Sequence, residues 1–122
     1  MNVPGLEDWV LQSQFRLKEN RDFRRVFRRG KSFATARLVL YYCDNRHDGV
    51  RVGFSISKKV GNAVVRNRLK RVLRAVFQTW LPELKDKSID IVVVCRTDAA
   101  DADFQILYQD VSKLLHKSKI VI

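Results

Sequence analysis

The sequence predicts one α/β domain, a mixed β-sheet with helices packed on it, and three observations carry that prediction. Two stretches, 33–43 and 50–57, alternate apolar and polar residues in the two-residue rhythm of strands. A third, SIDIVVVCR at 88–96, is apolar at nearly every position, the pattern of a central strand covered on both faces. Around them, three segments repeat apolar residues at helical spacing, which gives the order helix, strand, strand, helix, strand, helix.

Each element has its own local reason. Residues 1–14 are expected as a loosely ordered N-terminal extension ahead of a single domain at 15–122. NRDFRRVFRRG at 20–30 reads as a short helix, with Asn20 as N-cap, Phe23, Val26 and Phe27 at i, i+3 and i+4, and Gly30 just past its end. Along FATARLVLYYC (33–43), Arg37, Val39 and Tyr41 share one face and Leu38, Leu40 and Tyr42 the other. The polar DNRHDG (44–49) reads as a hairpin connection to VRVGFSIS, where Val50, Val52, Phe54 and Ile56 oppose Arg51, Gly53, Ser55 and Ser57. Asn62 can cap a long helix from about 63 to 80, with Pro82 just beyond its end. The last helix, about 102–117, starts amid Asp101 and Asp103 and ends with Lys113, His116 and Lys117, which suits the helix dipole.

The charge narrows the function. Among 122 residues the formal net charge is +11, and residues 16–74 hold 18 Lys/Arg against 4 Asp/Glu. A basic half of one domain is the footprint of a face for nucleic acid. No apolar run approaches the roughly 18 residues that span a bilayer, and the acidic N-terminus lacks the basic start of a secretory signal. Cys43 and Cys95 lie far apart without a CxxC partner and read as small core hydrophobes. The expected setting is cytoplasmic, with no membrane partner and no small-molecule substrate.

The helix at 63–80 concentrates that charge. At about 100° per residue, Val65, Leu69, Val72, Leu73, Val76, Phe77 and Trp80 fall on an arc of roughly 140°. Arg66, Asn67, Arg68, Lys70, Arg71 and Arg74 take the remainder, preceded by Lys58 and Lys59. A solvated helix face normally mixes signs, because like charges at i,i+4 weaken the helix, and Arg66–Lys70–Arg74 is an uncompensated ladder. A polyanion is the partner this face expects. Arginine outnumbers lysine there, which favours hydrogen bonding to phosphate or base edges.

A second feature is aromatic. If Phe54 and Ile56 point to the core, then Val39, Tyr41, Ser55 and Ser57 share a shallow groove that Phe23 and Phe27 can rim. Rings to stack bases and hydroxyls for the backbone suit an extended single strand. On spacing alone, simple packing of both Phe residues is the better explanation of the pattern. Catalytic chemistry is poorly represented: His47 and His116 are isolated, and no HExxH, CxxC, GxSxG or P-loop pattern occurs. Asp98, Asp101 and Asp103 sit at a helix start, where capping explains them.

The run SISKKVGNAVVRNRLKRVLR at 55–74 resembles the signature region of the protein subunit of bacterial ribonuclease P, and RLKENRDFRRVFRRG, RLVLYY, IDIVVVCR and the final helix follow that family's order over about residues 15–119. The resemblance implies a subunit of a ribonucleoprotein endonuclease that removes the 5′ leader from precursor tRNA. It implies that the ribonuclease P RNA performs the Mg²⁺-dependent hydrolysis and that the protein contributes no catalytic residue, metal ligand or cofactor. Carried over by motif, Lys58, Lys59, Asn62, Arg66, Asn67, Arg68, Lys70, Arg71 and Arg74 would face RNA, while Phe23, Phe27, Val39, Tyr41, Ser55 and Ser57 would line a leader cleft. The implied fold resembles the ribosomal protein S5 domain 2-like fold with a left-handed βαβ crossover, where chain physics alone favours the right hand. A ribosomal or other structural RNA-binding protein would account for the charge and fold but has no leader cleft, and a self-sufficient nuclease needs a carboxylate cluster or histidine pair that this sequence lacks.

Overall fold

The computed structural model describes residues 11–122. Its elements are α1 (Asn20–Arg29), β1 (Lys31–Ala34), β2 (Leu38–Asp44), β3 (Arg51–Ser55), α2 (Ala63–Leu84), β4 (Ile89–Cys95) and α3 (Phe104–Lys117), with single 3₁₀ turns at Ser13–Phe15 and Thr97–Ala99. The strands form one mixed sheet in the order β1-β2-β4-β3; β1–β2 and β2–β4 run antiparallel, and β3–β4 run parallel. The expected α/β architecture is present, with two corrections of topology.

The stretch expected as one strand at 33–43 is a hairpin. Thr35 closes it: its N–H donates to the Leu38 carbonyl at 2.8 Å, and the Leu38 N–H donates back to Thr35 Oγ1 at 3.2 Å. No Gly, Asn or Pro marks that turn, so alternation runs through it unbroken in the sequence. The segment expected as a hairpin at 44–49 is instead a bridge over the start of β4, because β4 lies between β2 and β3. A hairpin there would have left the apolar 88–96 run at a sheet edge. Inserted between its neighbours, that run satisfies both of its edges, and Ile91, Val92 and Val93 are fully buried. Asn45 N–H donates to the Ser88 carbonyl and Val50 N–H to the Lys85 carbonyl, pinning both ends of the bridge. Gly49 permits it at φ +111°, where a Cβ would stand 2.6 Å from the Lys85 carbonyl oxygen.

Helices α2 and α3 cover one face of the sheet. Leu69, Leu73, Val76 and Phe77 of α2 and Leu107, Val111 and Leu114 of α3 join Leu38, Leu40, Ile91 and Val93 in one core cluster. The Asn62 side chain caps α2 by accepting from Val65 N–H at 3.0 Å, as the sequence expects, and Asp103 caps α3 through Ile106 N–H. Helix α2 runs past Pro82 to Leu84 instead of stopping before it. Proline forfeits one helical hydrogen bond, but the burial of Trp80, Leu81 and Leu84 holds the last turn against the core. Helix α1 starts at Asn20 with Glu19 in the cap position, and Glu19 makes no side-chain cap bond. Gly30 does end it, at φ −78°, where the glycine serves a close approach: a Cβ would meet the Val26 carbonyl oxygen at 2.4 Å.

Residues 1–10 of the expected loose extension lie outside the described residues. Residue 11 is not loose, since Leu11 is fully buried in the main core. Cys95 is buried on the α2–α3 side and its thiol is pushed up to about 12 by burial, whereas Cys43 is half-buried on the opposite side of the sheet; both are free. No helix among the described residues is long and apolar enough to cross a membrane.

Candidate nucleic-acid interface

The second face of the sheet carries the candidate groove, and strand register builds it. Three rows of side chains cross that face. The first is Arg51, Asp90 and Cys43; the second is Gly53, Val92, Tyr41 and Ser32; the third is Ser55, Val94, Val39 and Ala34. Helix α1 lies over the middle row. Val26 is fully buried against Val92 and Leu17, the Phe23 ring lies against Gly53, and Phe27 meets Tyr41 edge-on with centroids 5.0 Å apart. The helix is thus a ridge with one polar row on one side and one open row on the other.

The open side holds most of the residues expected in the cleft. Val39, Tyr41, Val94 and Ser55 are half-buried, and Phe27 is 40% exposed. Val39 and Tyr41 do not face Ser55 across a hairpin; β4 stands between them and contributes Val92 and Val94 to the floor. Val94, half-buried on this face, escapes a reading of the sequence that treats 88–96 as wholly buried, and nothing in the pattern marks Gly53 as the seat of Phe23. Ser57 is not on the sheet face. Strand β3 ends at Ser55, and Ser57 lies in the turn that leads to Lys58 and Lys59, its carbonyl accepting from Val60 N–H at 3.1 Å.

The basic helix divides into three parts. Asn67 and Arg71 are exposed on its outer surface, beside Val64 at 76% exposure. Arg66, Lys70 and Arg74 are half-buried along one flank, toward the β3 edge. Arg68 turns to the other flank, where Nη2 donates to the Ala102 carbonyl at 2.6 Å and joins α2 to the loop before α3. The expectation of one outward arginine face therefore needs correcting: Arg68 also ties the fold together. Among the described residues, Arg66 Nε and Arg68 Nη1 are occluded without an acceptor. Burial, and then the nearby charge of Arg16, hold the Arg74 guanidinium below its ordinary value. A desolvated cation beside a like charge gains most from an arriving anion.

Helix flank and cleft meet at the sheet edge. Leu17 N–H donates to the Val52 carbonyl at 2.9 Å, so residues 16–17 extend the sheet beyond β3. There Lys70 and Arg74 share a pocket of about 340 Å³ with Arg16, Lys18, Phe23 and Gly53. Arg16 and Lys18 fall outside the motif-based site, and only the general basic excess of residues 16–74 marks them in the sequence.

The polar row is a clasp around Asp90, whose side chain is fully buried. Arg51 holds it with two bonds, Nε to Oδ1 at 2.9 Å and Nη2 to Oδ2 at 2.8 Å. Asn45 Nδ2 donates to Oδ1 at 2.7 Å, and Arg25 Nη2 donates to Oδ2. Among the described residues no three His, Cys, Asp or Glu side chains come together as metal ligands, and Asp90 is already saturated by cations and an amide. Held by two guanidiniums and an amide, the Asp90 carboxylate is not presented to a metal ion. His47 is exposed in the bridge, and His116 Nδ1 lies 2.7 Å from the Ser112 carbonyl on α3, so the two histidines stand in separate structures.

Known proteins share both the sequence pattern and this architecture. Residues 11–119 match the family model described as Ribonuclease P. The ribonuclease P protein component of Clostridium botulinum (strain Langeland) is 40% identical over 105 residues, which cover 86% of this chain and 95% of the relative. That of Bacillus velezensis is 40% identical over 111 residues, covering 90% and 94%. The RNase P protein of Staphylococcus aureus superposes with a TM-score of 0.80 at 36% identity, covering 87% of this chain and 96% of that one. The RNase P protein of Thermotoga maritima does so with a TM-score of 0.74 at 31% identity, covering 88% and 97%.

Proposed function

The chain belongs to the ribonuclease P protein family and, as the protein component of that endoribonuclease, serves in maturing the 5′ end of tRNA; from this premise we propose how its surface does so. Arg66, Asn67, Arg68, Lys70, Arg71 and Arg74, with Lys58 and Lys59 at the entry turn, bind the RNA subunit through phosphate. The open row Ser55, Val94 and Val39, walled by Phe23, Phe27 and Tyr41, takes the single-stranded leader of precursor tRNA. The RNA subunit carries out the Mg²⁺-dependent hydrolysis, and the protein holds the two polyanions together by replacing part of their counterion atmosphere with fixed cations.

The observation that supports this reading most directly is the register. One ladder across β2, β4 and β3 sets Val39, Val94 and Ser55 in a row beside an exposed phenylalanine, and Phe23 of the same aromatic wall lines a pocket with the α2 cations Lys70 and Arg74 at the β3 edge. A groove with an apolar floor, aromatic wall and cationic rim matches a strand whose bases stack and whose phosphates face outward. A purely structural RNA-binding role would account for the cations but gives no use to the exposed ring of Phe27.

The test compares precursor with mature tRNA. Phe27→Ala and Tyr41→Ala should each weaken binding of leader-bearing precursor in the assembled holoenzyme by about 1–3 kcal/mol, the value of a stacked base, and leave mature tRNA binding unchanged. Equal losses for both RNAs would mean that the rings only support the fold, and the leader assignment would fall.

A further inference from the structure

Helix α1 separates two grooves of different chemistry, one aromatic and one cationic. Val26 points down to the sheet and Phe23 and Phe27 project to the open row; Arg21, Arg25 and Arg29 project to the other side, toward the polar row. That second groove measures about 750 Å³ and is walled by residues 13–18, by α1 and by the bridge at 44–47. It has no Phe, Tyr or Trp in its lining. Its floor is the Asp90 clasp, whose single carboxylate is shared by Arg25 and Arg51 and fixes them in place. Asp22 is engaged with the same two arginines, at 3.4 and 3.7 Å, and Glu19 with Arg21 at 2.9 Å.

What remains on the walls is cationic. Among the described residues, Arg16, Lys18, Arg29 and Arg46 take part in no ion pair, and Asp44 is the one opposing carboxylate of the lining without an ion pair. Lys18 donates only to the Ser13 hydroxyl, and Arg16 Nε to the Leu11 carbonyl. These four cations come from three separate segments around one concavity. Against these four charges the lining sets Asp44 as its one carboxylate without an ion pair, so a net positive charge remains.

We propose that this groove is a second phosphodiester-binding site for RNA, reading backbone charge without base identity. The inference rests on the RNA-binding reading above but names a surface that shares only Arg16 and Lys18 with the pocket beside Lys70 and Arg74. A helix with its side chains is about 10–12 Å across, so a strand in the aromatic groove is separated from this one by the width of α1. The occupant is therefore a separate segment, belonging either to the RNA subunit or to the body of precursor tRNA. With no Phe, Tyr or Trp and only the exposed His47 ring in its lining, the site should discriminate little among bases.

The test uses the full-length protein carrying Arg29→Gln and Arg46→Gln together, two exposed positions outside the Lys70–Arg74 pocket that leave the Asp90 clasp untouched. Binding of the ribonuclease P RNA, and of precursor tRNA by the assembled holoenzyme, is measured from low to moderate salt beside a melting curve. For the RNA that occupies the groove, the slope of log K against log salt should become shallower by up to about 0.7–0.9 for each phosphate no longer neutralised, with the melting temperature held. A shallower slope with ribonuclease P RNA assigns the groove to the subunit, and one confined to precursor assigns it to substrate. The charge-conserving pair Arg29→Lys and Arg46→Lys should keep the slope, which separates charge from shape. Unchanged slopes for both RNAs, while Arg66→Ala still lowers one, would overturn this site and spare the α2 interface. If neither set of variants moves any slope, both readings fall.

Discussion

Phe23 lies across Gly53 so closely that a Cβ on Gly53 would stand 2.4 Å from the Phe23 Cζ and 3.1 Å from the Leu17 Cβ. The glycine is fully within the sheet, paired to Val92 in the middle row. Its missing side chain is what lets the α1 ridge settle on the strands. Glycine weakens a strand interior, and here that cost is the condition for the aromatic wall of the groove.

Gly53→Ala should therefore push the Phe23 ring aside. The expected cost is about 1–3 kcal/mol of stability, as for other overpacked sites, together with weaker binding of leader-bearing precursor. A double-mutant cycle with Phe23→Ala checks the cause. With the ring removed, the added methyl meets mainly Leu17, so its cost should shrink. Additive costs would show that Gly53 acts through something other than Phe23.

The arginines of α2 should not behave alike. Arg68→Ala removes a charge-assisted bond to the Ala102 carbonyl and should lower stability by about 1.5–3 kcal/mol, read as a lower melting temperature. Arg66→Ala and Arg74→Ala should leave stability within about 0.5 kcal/mol, since neither has a hydrogen bond or ion pair among the described residues. Both should make the salt dependence of RNA binding shallower. Equal melting temperatures for all three variants would contradict the division of the helix into flanks.

The contrast between these arginines bounds what the sequence can reveal. Periodicity places Val65, Leu69, Val72, Leu73, Val76, Phe77 and Trp80 on the arc that meets the core, because burial imposes it, and leaves Val64 outside it. It cannot say that Arg68, next to Val72 on the wheel, reaches the loop at residue 102, since that reach depends on how α3 docks. The same limit explains the strands. Parity correctly sets Val39 and Tyr41 with Ser55 on one face, because a strand has only two faces. It misses β4 between them, because strand order comes from long-range pairing and a polar six-residue segment looks the same whether it turns back or bridges a neighbour. The Thr35 turn is hidden for a simpler reason: a threonine hydroxyl closes it without any turn-specific residue.

Asp90 should make stability depend on acid pH in a defined direction. Burial alone would raise its carboxyl, but the hydrogen bonds from Arg51, Asn45 and Arg25 outweigh that and hold it below the ordinary carboxylate value. In the unfolded chain the group returns to about 3.9. A folded-state value below that means the unfolded state binds the proton first as pH falls. The contribution is thus complete above about pH 4 and is lost progressively as pH drops below it, through the depressed folded value. Asp90→Asn removes the charge at every pH and leaves two half-buried guanidiniums facing an amide. Breaking a buried pair in this way costs about 3–5 kcal/mol, so the variant should melt well below the parent at pH 7. Its disadvantage should narrow as both are acidified toward about pH 3, because the parent loses the interaction that the variant never had. Because Arg25 on α1, Asn45 in the bridge and Arg51 on β3 all converge on this carboxylate, its loss should also loosen the α1 ridge and lower RNA binding at pH 7. A parent whose stability does not change from pH 5 to about pH 3, or an Asn variant as stable as the parent at neutral pH, would show that the clasp adds nothing to the fold.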